Sequence, residues 1–336
     1  MSVNLVLYNS QNSAEGFAMI ETQATPREPG VSDTGDTIRV SNLVKTYGSL
    51  RAVDDLSFSV RSGEIFALLG PNGAGKTTTV EILEGYRDAT SGEVRVLGFN
   101  PRTQGTAMKE HIGLMLQQTA MYELVKVGEV VRLFASYYQH PRSFDEMIEL
   151  VGLQSHRNSF YKNLSGGQKQ RLSLALALVG NPEVVFLDEP TGSMDPQMRL
   201  QTWDIIKDMR NSGVTVLLTT HYMEEAQRLA DTVAIMDHGK LLVMGTPEQL
   251  TAGSGSEVVT FNAPPRLTDL AELPDASSIQ EERAGVYSVT TSDALSFSAA
   301  LARYRDDHDI PIENLRVAGA SLEDIFLRLT GEEVRE

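Results

Sequence analysis

The chain has 336 residues, no cysteine, and a formal net charge of −16 from 29 basic and 45 acidic residues. The lack of cysteine excludes disulfides, thiolate metal sites and thiol catalysis, while 41 % apolar residues suffice for one large domain or two ordinary ones. So acidic a chain repels nucleic acid, and no nucleic-acid partner is expected.

Residues 1–36 are polar and rich in Ser, Thr and Gly, and are expected to form a disordered tail. The opening "MSVNLVLYNSQNSAEG" lacks the basic start and apolar stretch of a secretion signal. No run approaches 18 apolar residues, so a membrane span of its own is not expected. "DTIRVSNLVKTYGS" and "LSFSVRSGE" alternate apolar and polar residues, which predicts half-buried antiparallel strands. "EIFALLG" is a continuous apolar run into glycines, as in a buried parallel strand, and "TTTVEILEGY" at 77–86 continues as a helix.

Residues 119–180 read as mainly helical, through "VGEVVRLFASYYQ", "FDEMIELVGL" and "GQKQRLSLALALVG". A strand ("EVVFLDE"), a helix ("QMRLQTWDIIKDMRNSG"), a strand ("VTVLLTT"), a helix ("YMEEAQRLADTV") and a strand ("VAIMDHGKLLVMG") follow. Such alternation predicts an α/β fold around a mostly parallel sheet. The Gly/Ser-rich "TAGSGSE" at 251–257 marks a linker after a first domain at 37–250. Beyond it, "EVVTFNA" and "VYSVTT" read as strands, and "SDALSFSAALARYRDD" and "SLEDIFLRLTG" as amphipathic helices. Residues 258–336 are therefore expected to form a small α+β domain. From Ala252 onward there are 16 acidic residues, 7 arginines and no lysine, a solvated acidic surface.

"GPNGAGKTT" at 70–78 satisfies G-x-x-x-x-G-K-[ST], between a strand and a helix as a phosphate loop requires. Gly70, Gly73 and Gly75 let backbone N–H groups close on phosphate oxygens, with Pro71, Asn72, Ala74 and Thr78 in the same wrap. Lys76 is suited to neutralise the β/γ charge and Thr77 to ligate Mg²⁺. In "VVFLDEPT" at 184–191, Asp188 and Glu189 end a strand where ligands of parallel sheets bind. Adjacent strand residues face opposite sides, so Asp188 is placed to hold Mg²⁺ through water and Glu189 to accept a proton from attacking water. Gln117 ends another β-run in "IGLMLQQ", where an amide touches both Mg²⁺ and the water; Gln118 is its rival. His221 follows "VTVLLTT", in reach of a γ-phosphate, and Tyr47 in "KTYGS" offers a ring face to a base. "LSGGQ" at 164–168 resembles a second phosphate cradle without a cation.

Taken together, these segments resemble the nucleotide-binding subunit of ATP-binding cassette (ABC) transporters over residues 38–250. The resemblance implies a P-loop cassette with a mixed-sheet core, an antiparallel β subdomain and a helical signature subdomain. It makes Tyr47 the aromatic loop, Gln117 the glutamine loop, Leu164, Ser165, Gly166, Gly167 and Gln168 the signature, Glu189 the catalytic glutamate and His221 the switch histidine. "GSMD" at 192–195 departs from the commoner "SALD" but keeps Asp195, the dimer-communication residue. In this family two cassettes dimerise head to tail, the signature of one closing on the γ-phosphate held by the other. Ser165 as an N-cap, two small glycines and a helix N-terminus suit that role, and no lysine is needed in a lid.

The C-terminal "GASLEDIFLRLTGEE" resembles the daunorubicin-resistance exporter ATPases, which pair with ABC-2 permeases. The same segment reads as an ordinary amphipathic helix burying Leu322, Ile325, Phe326 and Leu329. The expected protein is an ABC-type translocase ATPase using ATP and Mg²⁺, working as a homodimer on separate permease subunits at the cytoplasmic membrane face. By the same resemblance the surface from Gln117 to about Tyr138 receives a permease helix. The alternative is a soluble ABC ATPase acting on ribosomes or DNA. Against it stand the single cassette and the net charge of −16.

Overall fold

The computed structural model describes residues 6–7, 35–116, 121–252, 257–265, 267, 270, 273–319 and 321–331. They form two compact units that divide between Met244 and Gly245.

The first unit starts with β1 (Val6–Leu7) and the long hairpin β2 (Asp36–Tyr47) and β3 (Leu50–Arg61). β2 pairs antiparallel with β3, and the sequence alternation reappears as alternating burial. β4 (Ile65–Leu69) is buried throughout and runs into α1 (Lys76–Leu83). Next come β5 (Ser91–Val96), α2 (Pro101–Met108) and β6 (Ile112–Met115). Within the segment read as helical lie α3 (Val127–Ala135), α4 (Phe144–Leu150) and α5 (Gly166–Leu178). The unit closes with β7 (Val184–Asp188), α6 (Pro196–Asn211), β8 (Thr215–Thr219), α7 (Met223–Leu229), β9 (Thr232–Asp237) and β10 (Lys240–Gly245).

Its main sheet has the order β1-β10-β9-β4-β8-β7-β6. β4 lies parallel to β8 and β9, and β7 parallel to β8 and β6. The carboxyl ends of β4, β8 and β7 therefore sit side by side, at the edge where parallel sheets bind ligands. A three-stranded antiparallel sheet, β3-β2-β5, shares its core with this one: Ile38, Leu56 and Val60 pack with Phe66, Phe186 and Leu217. Phe58 stacks on Phe66 with centroids 5.1 Å apart.

Three expectations need correction. "VAIMDHGKLLVMG" is a hairpin, not one strand. His238 (φ 46°) and Gly239 (φ 79°) turn it between β9 and β10, as a two-residue loop with both φ positive does. Within residues 1–36, read as a disordered tail, Val6 and Leu7 pair antiparallel with Met244 and Val243, and Asp36 already belongs to β2. The compact units part at 244/245 and not at 251–257, because α8 (Pro247–Ala252) buries Leu250 and packs on the last helix of the second unit.

That second unit continues with β11 (Glu257–Asn262), β12 (Ala276–Arg283), β13 (Val286–Thr291), α9 (Ala294–His308), β14 (Glu313–Gly319) and α10 (Leu322–Thr330). Its antiparallel sheet runs β12-β13-β11-β14. Val259, Phe261, Tyr287 and Val289 form one core with Phe297, Leu301 and Tyr304 of α9. α10 buries Leu322, Ile325 and Phe326, with Leu329 half-buried. Among the described residues no helix is long and apolar enough to cross a membrane.

Candidate active site

The loop at 70–75 is shaped by close approaches that only glycine permits. A Cβ at Gly70 would lie 2.3 Å from the Met236 carbonyl oxygen, and one at Gly75 (φ 100°) 2.3 Å from that of Ala52. Ala74, buried, accepts from the Gly239 N–H at 3.0 Å, tying the loop to the β9–β10 turn. Lys76 Nζ arches back over the loop and donates to the Gly70 and Pro71 carbonyls at 2.6 and 3.0 Å. Asn72, Gly73 and Thr77 are exposed, while Pro71 and Thr78 are half-buried. The loop thus presents N–H groups, a lysine and a hydroxyl at one helix N-terminus, an arrangement that binds anions. Tyr47 ends β2 with its ring partly exposed, between Lys45 Nζ at 5.0 Å and Arg87 Cζ at 5.4 Å from its centroid.

At the ends of β7 and β8 the two acids point to different partners. Asp188 accepts a hydrogen bond from the Thr219 hydroxyl. Glu189 has a left-handed backbone (φ 48°), a conformation costing a non-glycine residue roughly 1–2 kcal/mol. Three hydrogen bonds hold it there. Its N–H donates to Thr219 O at 3.0 Å, and its carbonyl accepts from Gly192 N at 3.2 Å and from Gln170 Nε2 at 2.9 Å. The bend brings Glu189 Oε1 to 3.1 Å from His221 Nδ1, a carboxylate–imidazole pair at adjacent strand ends. Strained backbone over-determined in this way is typical of sites where geometry matters.

The electrostatics are those of a partly dry acidic pocket with one lysine. Burial lowers the Lys76 ammonium from its usual range, against the opposing pull of Glu189 and Asp188. Burial raises the Asp188 carboxyl; the Thr219 hydrogen bond and Lys76 oppose this, and Glu189 and Glu81 add to it. Glu84, at the end of α1 and 2 % exposed, is pushed up to about 8 by burial, Asp188 and Glu81. The folded protein therefore holds this proton more tightly than the unfolded chain. Its contribution to stability is full below about pH 4.5 and is lost as pH rises through about 8. The expected result is that Glu84→Gln, which stays neutral, melts above the wild type at pH 9 by a margin that shrinks toward pH 5. Thermal melts without nucleotide or Mg²⁺ check this.

The signature forms the start of α5. Leu164 is buried; Ser165 Oγ accepts from Gln168 N at 3.3 Å and Gln168 Oε1 accepts from Ser165 N at 2.9 Å, a capping box. Gln168 Nε2 also lies 3.1 Å from His156 Nε2. Beside a Cβ at Gly166 the nearest atom would be Ser193 Cβ at 3.5 Å, so the fold leaves room there. Gly167 is tighter, 2.3 Å from the mobile end of Met198. Asp195 caps α6 by accepting from Met198 N at 2.9 Å. Gln117 and its rival Gln118 lie outside the described residues.

The structure thus brings Lys76, Asp188, Glu189 and His221 together around three strand ends, and adds residues the motifs had not marked. Gln170 ties the signature helix to the Glu189 turn, and Glu84 and Glu225 are buried acids close by. Only Gln170 had a visible signal, a polar residue two positions past "LSGGQ".

The sequence profile of the ABC transporter family matches residues 53–192. The Nod factor export ATP-binding protein I of Ralstonia nicotianae is 35 % identical over 320 residues, covering 93 % of this chain and 98 % of that protein. The daunorubicin/doxorubicin resistance ATP-binding protein of Streptomyces peucetius is 34 % identical, covering 88 % and 92 %. The linearmycin resistance ATP-binding protein of Bacillus subtilis is 31 % identical, covering 89 % and 100 %. A solved ATP-binding subunit of an ABC transporter superposes with a TM-score of 0.61 at 25 % identity, over 65 % of this chain and 93 % of that one. The phosphate loop, the Glu189–His221 pair and the capped LSGGQ helix occupy a cassette fold, and relatives 31–35 % identical align over 92 % or more of their own length: the chain belongs to the ATP-binding proteins of ABC transporters.

Proposed function

We propose that this chain is the ATPase subunit of a bacterial exporter, hydrolysing MgATP in a head-to-tail dimer to move a drug-like or lipophilic substrate through separate ABC-2 permeases. The observation that carries it is the Glu189–His221 pair, 3.1 Å apart, at the strand ends beside Lys76. A carboxylate so held accepts the proton of an attacking water, while the imidazole supports it and donates toward the γ-phosphate. Lys76 leaves its two loop carbonyls for the β/γ oxygens, and Tyr47 stacks on the base.

Mg²⁺ fits the donor set. Thr77 and Asp188 offer hard oxygen donors, and among the described residues no group of three acids or histidines forms a metal cage by itself. One hydroxyl and one carboxylate completed by substrate phosphates is how proteins hold Mg²⁺. Its chemistry would be to neutralise charge on the transferred phosphoryl; Gln117 is the further ligand proposed.

Exporter subtype and partners rest on the relatives, whose names record Nod factor export and resistance to daunorubicin and linearmycin. A cavity of about 310 Å³ lined by Tyr86, Leu116, Phe134 and Tyr138 suits an apolar permease helix, with Tyr122 and Tyr137 exposed at residues 74 % and 69 % accessible. This would place the protein at the cytoplasmic membrane face. Co-purification from detergent-solubilised membranes tests it: the wild type should retain an ABC-2 permease, and Phe134→Asp should lose it by about tenfold or more while keeping its own ATPase activity. Recovery with ribosomes or DNA instead of a membrane protein would sink the reading.

A further inference from the structure

Behind the hydrolytic pair lies a buried acid that none of the motifs uses. Glu225, on α7 four residues past His221, is completely buried. Its Oε1 accepts two hydrogen bonds, from the Thr191 hydroxyl at 2.8 Å and from the Trp203 indole at 2.9 Å. The buried carboxyl also has the Thr220 hydroxyl as a neighbour and is attracted by the Arg199 guanidinium. Thr191 is two residues past Glu189, on the turn that bends it. Trp203 is on α6, the helix Asp195 caps. One oxygen thus joins three elements. A second link runs parallel to it: Arg199, one turn before Trp203 on α6, lies 4.4 Å over the Tyr222 ring, whose centroid is 4.2 Å from that of His221.

We propose that Glu225 is a positioning residue for hydrolysis. By holding Thr191 and Trp203 on one carboxyl oxygen, it locks the helix behind His221 to the turn of Glu189 and to the helix that starts at Asp195. Movement of the Asp195 end, where the partner cassette would sit, then reaches both members of the hydrolytic pair together. An apolar side chain here would leave the Thr191 hydroxyl and the Trp203 indole N–H buried without an acceptor, so the carboxyl is what holds the two elements on one oxygen. The inference rests on the proposed hydrolysis at Glu189.

Trp203 is the sole tryptophan, so its emission reports directly on the clamp. In the full chain, Glu225→Ala should lower kcat for MgATP by about tenfold or more with KM within about twofold, and should abolish the emission change on MgATP binding. Glu225→Gln keeps an acceptor at Oε1 and should recover kcat to within about threefold of wild type. A role in stability alone would lower the melting temperature without that split or that rescue. If Glu225→Ala does not fold, Thr191→Val and Trp203→Phe each remove one donor; both should lower kcat, and their combination should be non-additive. A folded Glu225→Ala with wild-type kcat and emission response overturns the proposal, as do additive or absent effects of the donor pair. A wild type that binds ATP and never hydrolyses it overturns the underlying reading, and this one with it.

Discussion

Glu189→Gln should lower kcat for ATP hydrolysis by about 10²–10³-fold while changing ATP affinity by less than about threefold, because general-base catalysis is removed and binding is not. The amide has the size of the acid and still offers an oxygen to His221, now 3.1 Å away. The three backbone and Gln170 hydrogen bonds that fix the left-handed turn do not involve the carboxylate. The variant should therefore fold like the wild type and differ only in the proton acceptor. With hydrolysis blocked, ATP that binds the closed dimer more tightly than the monomer would accumulate the dimer by mass action. Light scattering at saturating MgATP checks this: a protein that stays monomeric argues against a shared site, whatever its ATPase rate.

Gly166→Asp should abolish turnover, by about 10²-fold or more, and leave ATP binding to the isolated monomer unchanged. The structure sharpens this test. A side chain at Gly166 meets nothing closer than Ser193 Cβ at 3.5 Å, so the fold tolerates it. An aspartate in the first turn of α5 also complements the helix dipole, so the monomer should melt no lower than wild type and up to a few degrees higher. In a head-to-tail dimer the same carboxylate would face the partner's γ-phosphate and repel it. Stability held or raised with activity lost is the signature of a glycine demanded by a second molecule. Lost stability, or lost ATP binding in the monomer, would instead place Gly166 in the chain's own architecture.

Two further acids, buried Glu84 and half-buried Asp188, show how the pocket is tuned. Glu84 and Asp188 are both pushed upward by burial and by neighbouring carboxylates, with Lys76 opposing at Asp188. A site that carries more carboxylate than it can ionise at low dielectric is prepared for cationic charge. Under the proposed function, Mg²⁺ arriving with the nucleotide would supply that charge.

The sequence by itself determined the local chemistry. The spacing of Gly70, Gly73, Gly75 and Lys76 between an apolar run and a helix required a phosphate loop, and Ser165 marked a capped helix start. Strand periodicity placed β2, β3, β4, β7 and β8 because each has a strongly patterned or continuous apolar face. Other elements were not legible. β14 is exposed at every residue and β12 reads "ASSIQEER"; edge strands without an apolar face leave no period to read. The hairpin at His238-Gly239 was hidden because the apolar residues on both sides read as one run.

Tertiary structure alone decided which residues meet. Nothing in the separation of positions 189 and 221 along the chain states that parallel pairing of β7 with β8 would set Glu189 against His221. Nor does any local pattern mark Glu225, which looks like one more acid in "YMEEAQRLA" yet is sealed between Thr191 and Trp203. Local interactions fix which backbone shape each segment takes, and these are written in consecutive residues. The juxtaposition of strand ends, and the burial that shifts a carboxyl's protonation, arise only when distant segments share one core.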